Sequence, residues 1–278
     1  MHPRSIFALL SLLALVSTNA ATVAQKDDAP EIVDRAAQYV AAFVSRFSNV
    51  VAEEVYVQER TEGAAVTHGT RVRRELTSDF LFVRTSDSAD WLVFRDVRLV
   101  NGREVRNRES RLLKLLTAPA NEARAFAEVL AAENARHGLS NWPGINNPLI
   151  ALSLLQDEYR YRLAFSLESS TSDGDWVILR FREHVRPTLL RAGRSEIILD
   201  GRFWITRETG RISQTELAIG RNAAVTTTFA YDEQLETDVP VEMRERYSTI
   251  YATGQANYSD FRTFQIQTDE VLEDTSIP

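Results

Sequence analysis

The sequence predicts an α+β fold in which helices are placed before and within an antiparallel β-sheet. Three observations lead to this class. Apolar residues recur every three or four positions between Glu31 and Phe47, which is typical of an amphipathic helix. Segments rich in branched and aromatic residues run from Val50 to Gly102 and again from Tyr159 onward, as in antiparallel meanders. Between these two runs, residues 107–156 return to a helical pattern.

The first twenty residues are typical of an export signal. Arg4 supplies a positive charge, Ile6 to Val16 form a short apolar segment, and Thr18-Asn19-Ala20 is a small-residue cleavage site. The apolar segment is shorter than the roughly 20 residues that a membrane-spanning helix needs. We therefore expect cleavage between Ala20 and residue 25, a mature chain without a transmembrane segment, and a bacterial periplasmic or secreted location. The alternative is an uncleaved N-terminal anchor.

Composition excludes several kinds of site. The chain has 278 residues and no cysteine, which excludes disulfides, thiolate metal sites and lipid attachment at a cysteine. A formal net charge of -7 argues against nucleic acid as a partner. Lys26 and Lys114 are the only lysines, so arginine supplies most of the positive charge. This bias favours either bidentate pairing with carboxylates and phosphates or an effect of genome composition.

The individual elements follow from the local pattern. Three segments before the insertion alternate as strands do, and the last of them ends in an Asn-Gly pair that favours a tight hairpin turn. Asn121 is a suitable N-cap and Gly138 a suitable end for the first inserted helix, and a shorter apolar helix follows over residues 147–156. We predict one domain over residues 30–268 and a flexible tail over residues 269–278. The three strand segments are "VVAEEVYVQER" (Val50 to Arg60), "DFLFVRT" (Asp79 to Thr85) and "WLVFRDVRLVNG" (Trp91 to Gly102).

The stretch "GRFWITRETGRISQTELAIG", from Gly201 to Gly220, predicts a β-hairpin with Thr209-Gly210 in its turn. Further strands of the type "TTTFAYD", "VPVEMRERY" and "YSDFRTFQI" follow it. This order of strands resembles the C-terminal half of the periplasmic lipoprotein-carrier fold of the LolA and LolB type, which also includes outer-membrane lipoprotein-sorting and sensor proteins. The resemblance covers residues 31–267 in outline and is specific from Trp176 to Gln267. The chain is longer than a simple carrier, with an enlarged central segment.

The resemblance implies a strongly curved antiparallel sheet, an incomplete β-barrel or half-barrel, with an N-terminal helix and inserted helices over its concave face. It also implies a hydrophobic cavity that binds a lipid, an acyl chain or a lipidated protein. An ordinary filled core is the alternative for each apolar residue that is a candidate for lining this cavity. These candidates are Phe80, Phe82, Trp91, Val93, Phe94, Trp176, Ile178, Phe203, Ile205, Phe229 and Tyr231.

The sequence contains no motif for a catalytic nucleophile, a phosphate-binding loop, a zinc protease or a dinucleotide. The histidines of the mature chain, His68, His137 and His184, are far apart in sequence. Glu133 and His137 stand one helical turn apart and more often form a solvated helix face than a metal site. "SDGD" around Gly174 lacks the later glutamate of a calcium loop. We expect no enzymatic activity, no metal and no cofactor.

An arginine-rich segment from Arg180 to Arg194 is the polar candidate. Its side chains, Arg182 and Arg186 among them, could bind a phosphate or carboxylate head group at a cavity mouth, or could pair with the plentiful acids of an exposed strand edge. A second such run, from Arg98 to Lys114, has the same two interpretations.

The sequence is compatible with three functions. The leading hypothesis is a non-enzymatic periplasmic protein that binds a hydrophobic ligand. The others are a module that binds an envelope protein partner and an unrecognised hydrolase. An open apolar cavity would favour the first, a closed and filled interior the second, and a cleft with perturbed carboxylates near His184 or His137 the third.

Overall fold

The computed structural model describes the chain from Asp28 to Phe264 with several gaps. The predicted export signal, His68, Glu133, Gly174 and the predicted tail lie outside the described residues. The described ranges are 28–47, 49–62, 69–84, 91–106, 135–140, 145, 147–170 and 175–264.

The described residues contain one long helix, two single-turn helices and thirteen strands. The helices are α1 (Ala29–Arg46), α2 (Ile150–Ser153) and α3 (Asp157–Arg160). The first strands are β1 (Val50–Glu62), β2 (Thr70–Arg84), β3 (Trp91–Val100), β4 (Arg103–Glu104), β5 (Leu163–Ser170) and β6 (Trp176–Glu183). The later strands are β7 (Leu190–Ala192), β8 (Ser195–Ile197), β9 (Leu199–Thr206), β10 (Ile212–Ile219), β11 (Ala223–Asp232), β12 (Thr237–Tyr247) and β13 (Ala252–Thr263).

Eleven strands form one antiparallel sheet in the order β4-β3-β2-β1-β13-β12-β11-β10-β9-β6-β5, and β7 and β8 form a separate hairpin. The pairing of β1 with β13 joins the strands before the insertion to those after it. β4 and β5 are the outer strands, so the sheet is not closed into a barrel. Register shifts interrupt several strand pairs, for example between Val51 and Glu53 and between Thr228 and Phe229. Such bulges bend strands, and the predicted α+β fold with a curved open sheet is confirmed.

The helix predicted over Glu31 to Phe47 corresponds to α1, which begins two residues earlier and ends one residue earlier. Pro30 lies in its first turn, where a missing N–H costs nothing, and Arg46 lies in its last turn, where a positive charge is favourable. One stripe of the helix is buried against the sheet, because its apolar residues recur on one face. The stripe consists of Ile32, Val33, Ala36, Val40, Phe43 and Val44.

Two elements at the end of the insertion and just after it differ from their predictions. The apolar helix expected over residues 147–156 is limited to α2, and Gln156 is extended before α3 begins. Asp157 and Glu158 lie in the first turn of α3, where carboxylates are favourable near the positive end of a helix. The strand expected from Tyr159 consequently begins only at Leu163.

Candidate functional site

The two faces of the sheet differ in what they contact. In β6, Val177 and Leu179 are buried and Ile178 between them is not fully buried, because successive side chains of a strand point to opposite faces. Val177 and Leu179 belong to the core that also contains the apolar stripe of α1. We call this side of the sheet the helix-covered face and the opposite side the outer face.

Aromatic rings fill the helix-covered face at the end of α1. Phe47 lies 4.9 Å from Phe43 and 4.9 Å from Phe82 between ring centroids. Phe80 lies 5.0 Å from Phe82 and 5.4 Å from Tyr258. Such edge and offset contacts between aromatic rings stabilise a core beyond the burial of their area. We call Phe43, Phe47, Phe80, Phe82, Tyr258 and Phe261 the aromatic cluster.

A second aromatic contact lies on the same face, between β6 and β9. Phe181 on β6 and Phe203 on β9 stack with their ring centroids 4.8 Å apart. Gly201 makes room for them, because a Cβ atom at this position would lie 2.7 Å from the Phe181 ring and 2.0 Å from the backbone oxygen of Glu216. A glycine inside a strand often marks such a close approach.

The helix-covered face also contains a buried ion pair. Glu54 on β1 is 0 % exposed and its carboxylate accepts two hydrogen bonds from Arg95 on β3, whose side chain is 9 % exposed. The guanidinium of Arg95 also lies 4.4 Å from the centroid of the Tyr56 ring, within range of a cation–π contact. Burial alone lowers the pKa of Arg95, but the Glu54 carboxylate more than offsets this effect and the pKa lies above its ordinary value.

A second buried carboxylate, Glu245 on β12, lies beside this pair. The Tyr56 hydroxyl donates to its Oε2 atom, and the backbone N–H of Ile145 in the insertion donates to its Oε1 atom at 3.0 Å. The same N–H also lies 3.1 Å from the hydroxyl of Tyr247. Gly254 makes room for this contact, because a Cβ atom there would lie 2.6 Å from Glu245 Oε2.

The insertion is bound to the sheet at three further points. The backbone N–H of Leu139 donates to Oε1 of Gln58 at 2.7 Å. Arg74 donates to the carbonyl oxygen of His137 at 3.3 Å, and Arg60 donates to that of Ser140 at 2.5 Å. Side chains of the sheet therefore bind the main chain of the insertion. We call Glu54, Tyr56, Gln58, Arg95, Glu245 and Tyr247 the polar cluster.

The buried tyrosines are expected to make the protein sensitive to alkali. Burial raises the pKa of Tyr56, Tyr247 and Tyr258 above the ordinary value, and the charges of Glu54 or Glu245 raise it further. An unfolded tyrosine ionises at about pH 10. The contribution of these tyrosines to the free energy of unfolding is therefore fully present below about pH 10. Above that pH it falls by about 1.4 kcal/mol per pH unit for each such tyrosine.

Tyr258→Phe tests this expectation, because the Tyr258 hydroxyl lies 4.0 Å from the sulfur of Met243 and loses little when it is removed. Urea unfolding should give similar stability for both proteins near neutral pH. Above about pH 10 the variant should lose about 1.4 kcal/mol less per pH unit than the wild type. Equal slopes for the two proteins would contradict the prediction.

The predicted hairpin of β9 and β10 contacts α1. In its turn, Gly210 has a φ of +72°, and a Cβ atom there would lie 2.4 Å from the backbone carbonyl of Arg35. The next residue, Arg211, binds Asp238 through Nε and a terminal nitrogen at 2.6–3.0 Å. Asp238 in turn accepts a hydrogen bond of 2.6 Å from the Tyr39 hydroxyl on α1. Burial and the Asp238 carboxylate raise the pKa of Tyr39.

The residues predicted to line a cavity lie in two different places. Five of them are buried in the core of the helix-covered face: Phe80, Phe82, Phe203, Ile205 and Phe229. Val93 is partly buried against the same core. Phe94 is buried on the outer face, opposite Leu81 of β2. Trp176 is 37 % exposed, Tyr231 is exposed and Ile178 shares the outer face with Trp176. Trp91 begins β3, and its side chain is not among those described.

The predicted head-group arginines are exposed and each lies beside an acidic residue. Arg182 lies 3.4 Å from Asp200, and Arg186 lies 2.7 Å from Glu196. The nearby Glu183 is buried and accepts the backbone N–H of Leu189 at 2.7 Å. Arg182 and Arg186 therefore pair with acidic residues, which is the alternative interpretation of this segment. A role in head-group binding stays a prediction.

A concavity of about 850 Å³ lies on the outer face and crosses the strands from β1 to β10. Charged side chains of both signs line it, among them Glu59, Arg73, Glu216, Arg244 and Arg246. A second concavity, of about 640 Å³, lies between α1 and α3, with Asp34, Ala41 and Arg160 on its walls.

Two kinds of feature are absent from the described part of the chain. Nowhere in it do three or more His, Asp or Glu side chains come together as a metal site would require. None of its helices combines the length and apolar character needed to cross a membrane.

Comparison with known proteins gives matches at the level of structure. No protein-family model matches the chain, and no curated protein matches its sequence. A DUF1329 family protein from Desulfovibrio piger matches with 11% identity and a TM-score of 0.43, over 91% of this chain and 100% of the other. An outer membrane lipoprotein-sorting protein domain from Vibrio parahaemolyticus has 12% identity and a TM-score of 0.41, over 87% and 96% of the two chains. A LolA superfamily protein from Nitrosomonas europaea has 12% identity and a TM-score of 0.34, over the same shares.

The chain is similar in fold to LolA-type proteins. A similarity in fold does not assign a function, which has to be argued from the contacts of this chain.

The polar cluster is not among the sites predicted from the sequence, although the alternation of β1 contains one indication of it. Within "VVAEEVYVQER", Glu54 is an even number of positions from Val50, Ala52 and Tyr56, so alternation places it on the apolar side of β1. A carboxylate on that side requires a partner. The partner, Arg95, lies 41 residues away in the sequence, and only the register of β1, β2 and β3 shows that the two side chains meet.

Proposed function

We propose that this protein is a non-enzymatic binding protein of the bacterial cell envelope that holds a lipid, an acyl chain or another hydrophobic ligand between α1 and the sheet. The observation that carries this proposal is the aromatic cluster beneath α1. The predicted export signal supports the location, and the LolA-like fold agrees with it.

The aromatic cluster and the apolar stripe of α1 fill this space in the structure, so a ligand enters only when α1 moves. Contacts between α1 and the sheet are mainly apolar, through residues such as Val40, Phe43 and Val44. An acyl chain offers the same kind of contact, because hydrophobic stabilisation is not directional and follows the apolar area removed from water. Exchange of the helix for a ligand therefore costs much less than simple exposure of the cluster.

The first experiment is mass spectrometry of an organic extract from the mature protein, purified from a periplasmic fraction without detergent. The proposal requires a stoichiometric lipid or acylated molecule, or saturable binding of an apolar fluorescent probe by the empty protein. An empty protein that also fails to bind the probe would reject the proposal.

Tyr39→Phe provides a sharper test of the role of α1. The variant loses the hydrogen bond from α1 to Asp238, which is worth about 1.5–3 kcal/mol because its acceptor is charged. If a ligand displaces α1, the probe should bind several-fold more tightly and faster to Tyr39→Phe than to the wild type. Tyr251→Phe, at an exposed tyrosine, is the matched control and should bind as the wild type does. Equal binding by all three proteins would mean that α1 does not control access.

A second candidate function is the binding of an envelope protein partner. The charged concavity on the outer face favours it, because its mixed charges suit a polar protein surface. The filled core beneath α1 also favours this function, because a closed and filled interior is what we expect of a partner-binding module. If the protein neither carries a lipid nor binds the probe, crosslinking in the periplasm to identify that partner becomes the next experiment.

A further inference from the structure

The polar cluster binds main-chain groups of the insertion, and it does so with side chains that accept hydrogen bonds. Gln58 accepts the N–H of Leu139 at 2.7 Å, and Glu245 accepts the N–H of Ile145 at 3.0 Å. Gln58 is 3 % exposed and Glu245 is 2 % exposed. Both hydrogen bonds are made to main-chain N–H groups and not to side chains of the insertion.

The space beside Gln58 is shaped for a narrow chain. Gly138 lies directly against Gln58, because a Cβ atom at this position would lie 2.9 Å from Oε1 of Gln58. A larger residue in the bound segment would displace the amide side chain from its contact with Leu139. The site therefore fits a backbone or a similarly thin chain that presents N–H groups.

From this arrangement, we propose that Gln58 and Glu245 form a binding site for secondary amides, which the main chain of Leu139 and Ile145 occupies in this structure. Buried acceptors lose stability when their donors leave. Whatever takes the place of the insertion must therefore supply hydrogen-bond donors, as main-chain N–H groups do. A hydrocarbon, an ester or a carboxylate does not supply them, whereas an acyl amide or a peptide main chain does.

The amide site adjoins the aromatic cluster. Arg95 lies 4.4 Å from the Tyr56 ring and 5.4 Å from the Phe80 ring, which links the two clusters. A ligand with an acyl chain in the aromatic cluster can thus place an amide at Gln58 and Glu245. This inference rests on the proposed function and specifies its ligand as an apolar chain joined to a secondary amide.

The test compares two ligands that differ in one N–H group. N-methyl palmitamide has the donor, and N,N-dimethyl palmitamide keeps the carbonyl and the acyl chain but lacks it. With the mature wild-type protein, the first compound should bind about tenfold more tightly than the second, as expected for one hydrogen bond to a buried acceptor. Binding is measured by displacement of an apolar fluorescent probe.

Two variants connect this preference to the site. Gln58→Met removes the acceptor and should reduce the preference for N-methyl palmitamide, whereas Gln58→Glu keeps acceptor oxygens and should retain it. Thermal unfolding of both variants establishes that they are folded. If Gln58→Met does not fold, the comparison of the two amides in the wild type and in Gln58→Glu still decides the question.

The outcomes separate the two proposals. Equal affinity for the two amides overturns the amide site and leaves the proposed function intact, whereas binding of neither amide rejects both. A short capped alanine peptide without an acyl chain identifies the source of the amide. Its binding supports a site for peptide main chain, and its failure beside tight binding of N-methyl palmitamide supports a site for an acylated amide.

Discussion

Replacing Glu54 with leucine is expected to destabilise the protein by about 3–5 kcal/mol, because the buried guanidinium of Arg95 then loses its carboxylate partner. Glu54 is fully buried and binds Arg95 through both carboxylate oxygens. Combining Glu54→Leu with Arg95→Met should recover much of the loss, since a buried pair replaced by apolar side chains is often nearly neutral. Urea unfolding of the single and double variants measures both effects.

The neighbouring residue provides a matched control. Glu53 also pairs with an arginine of β3, Arg98, but these side chains are 36 % and 32 % exposed. A partly exposed pair of this kind contributes about 1 kcal/mol, so Glu53→Gln should change stability much less than Glu54→Leu does. If Glu54→Leu were as mild as Glu53→Gln, the ion pair of Glu54 and Arg95 would not be an important part of the folded core.

Replacing Gly210 with alanine is expected to cost about 2–4 kcal/mol and to loosen α1. The positive φ of Gly210 is unfavourable for alanine, which accounts for about 1–2 kcal/mol. The remainder comes from the close approach to the backbone of Arg35, because neither backbone moves without disturbing the packing of the helix. Thermal or urea unfolding gives the cost, and proteolysis between α1 and β1 reports whether the helix is loosened.

Gly193→Ala separates the two contributions. Gly193 also has a positive φ, +61°, but a Cβ atom there would meet nothing within 4 Å. This variant should therefore show only the conformational cost. Equal destabilisation by Gly193→Ala and Gly210→Ala would indicate that the contact between the hairpin turn and α1 is unimportant. If the proposed function is correct, Gly210→Ala should also bind an apolar probe more readily than Gly193→Ala.

Local pattern was sufficient for much of the fold. The helix predicted from Glu31 to Phe47 is α1, and the hairpin predicted over Phe203 to Leu217 is formed by β9 and β10. Both depend on periodicity and turn residues that lie within a few positions of one another. The apolar helix predicted over residues 147–156 is limited to Ile150–Ser153, and Gln156 is extended before a separate helix begins at Asp157.

Only some of the apolar residues predicted to line a cavity lie on the helix-covered face. Phe80, Phe82 and Phe203 are aromatic residues of strands, and they lie on the helix-covered face. Phe94 and Trp176 are of the same kind and lie on the outer face. Composition shows that a residue is apolar, but the face on which it lies depends on strand register and on the bulges that shift it.

The sequence by itself determined the order of helix, strands, insertion and strands, the absence of cysteine chemistry and the apolar stripe of α1. Tertiary structure alone decided which carboxylates are buried and what they bind. Tyr56 and Glu245 are 189 residues apart, and they meet because β1 and β12 both pair with β13. The physical reason is that periodicity and turn chemistry act over a few residues, whereas the pairing of a buried charge depends on contacts between strands that are distant in the chain.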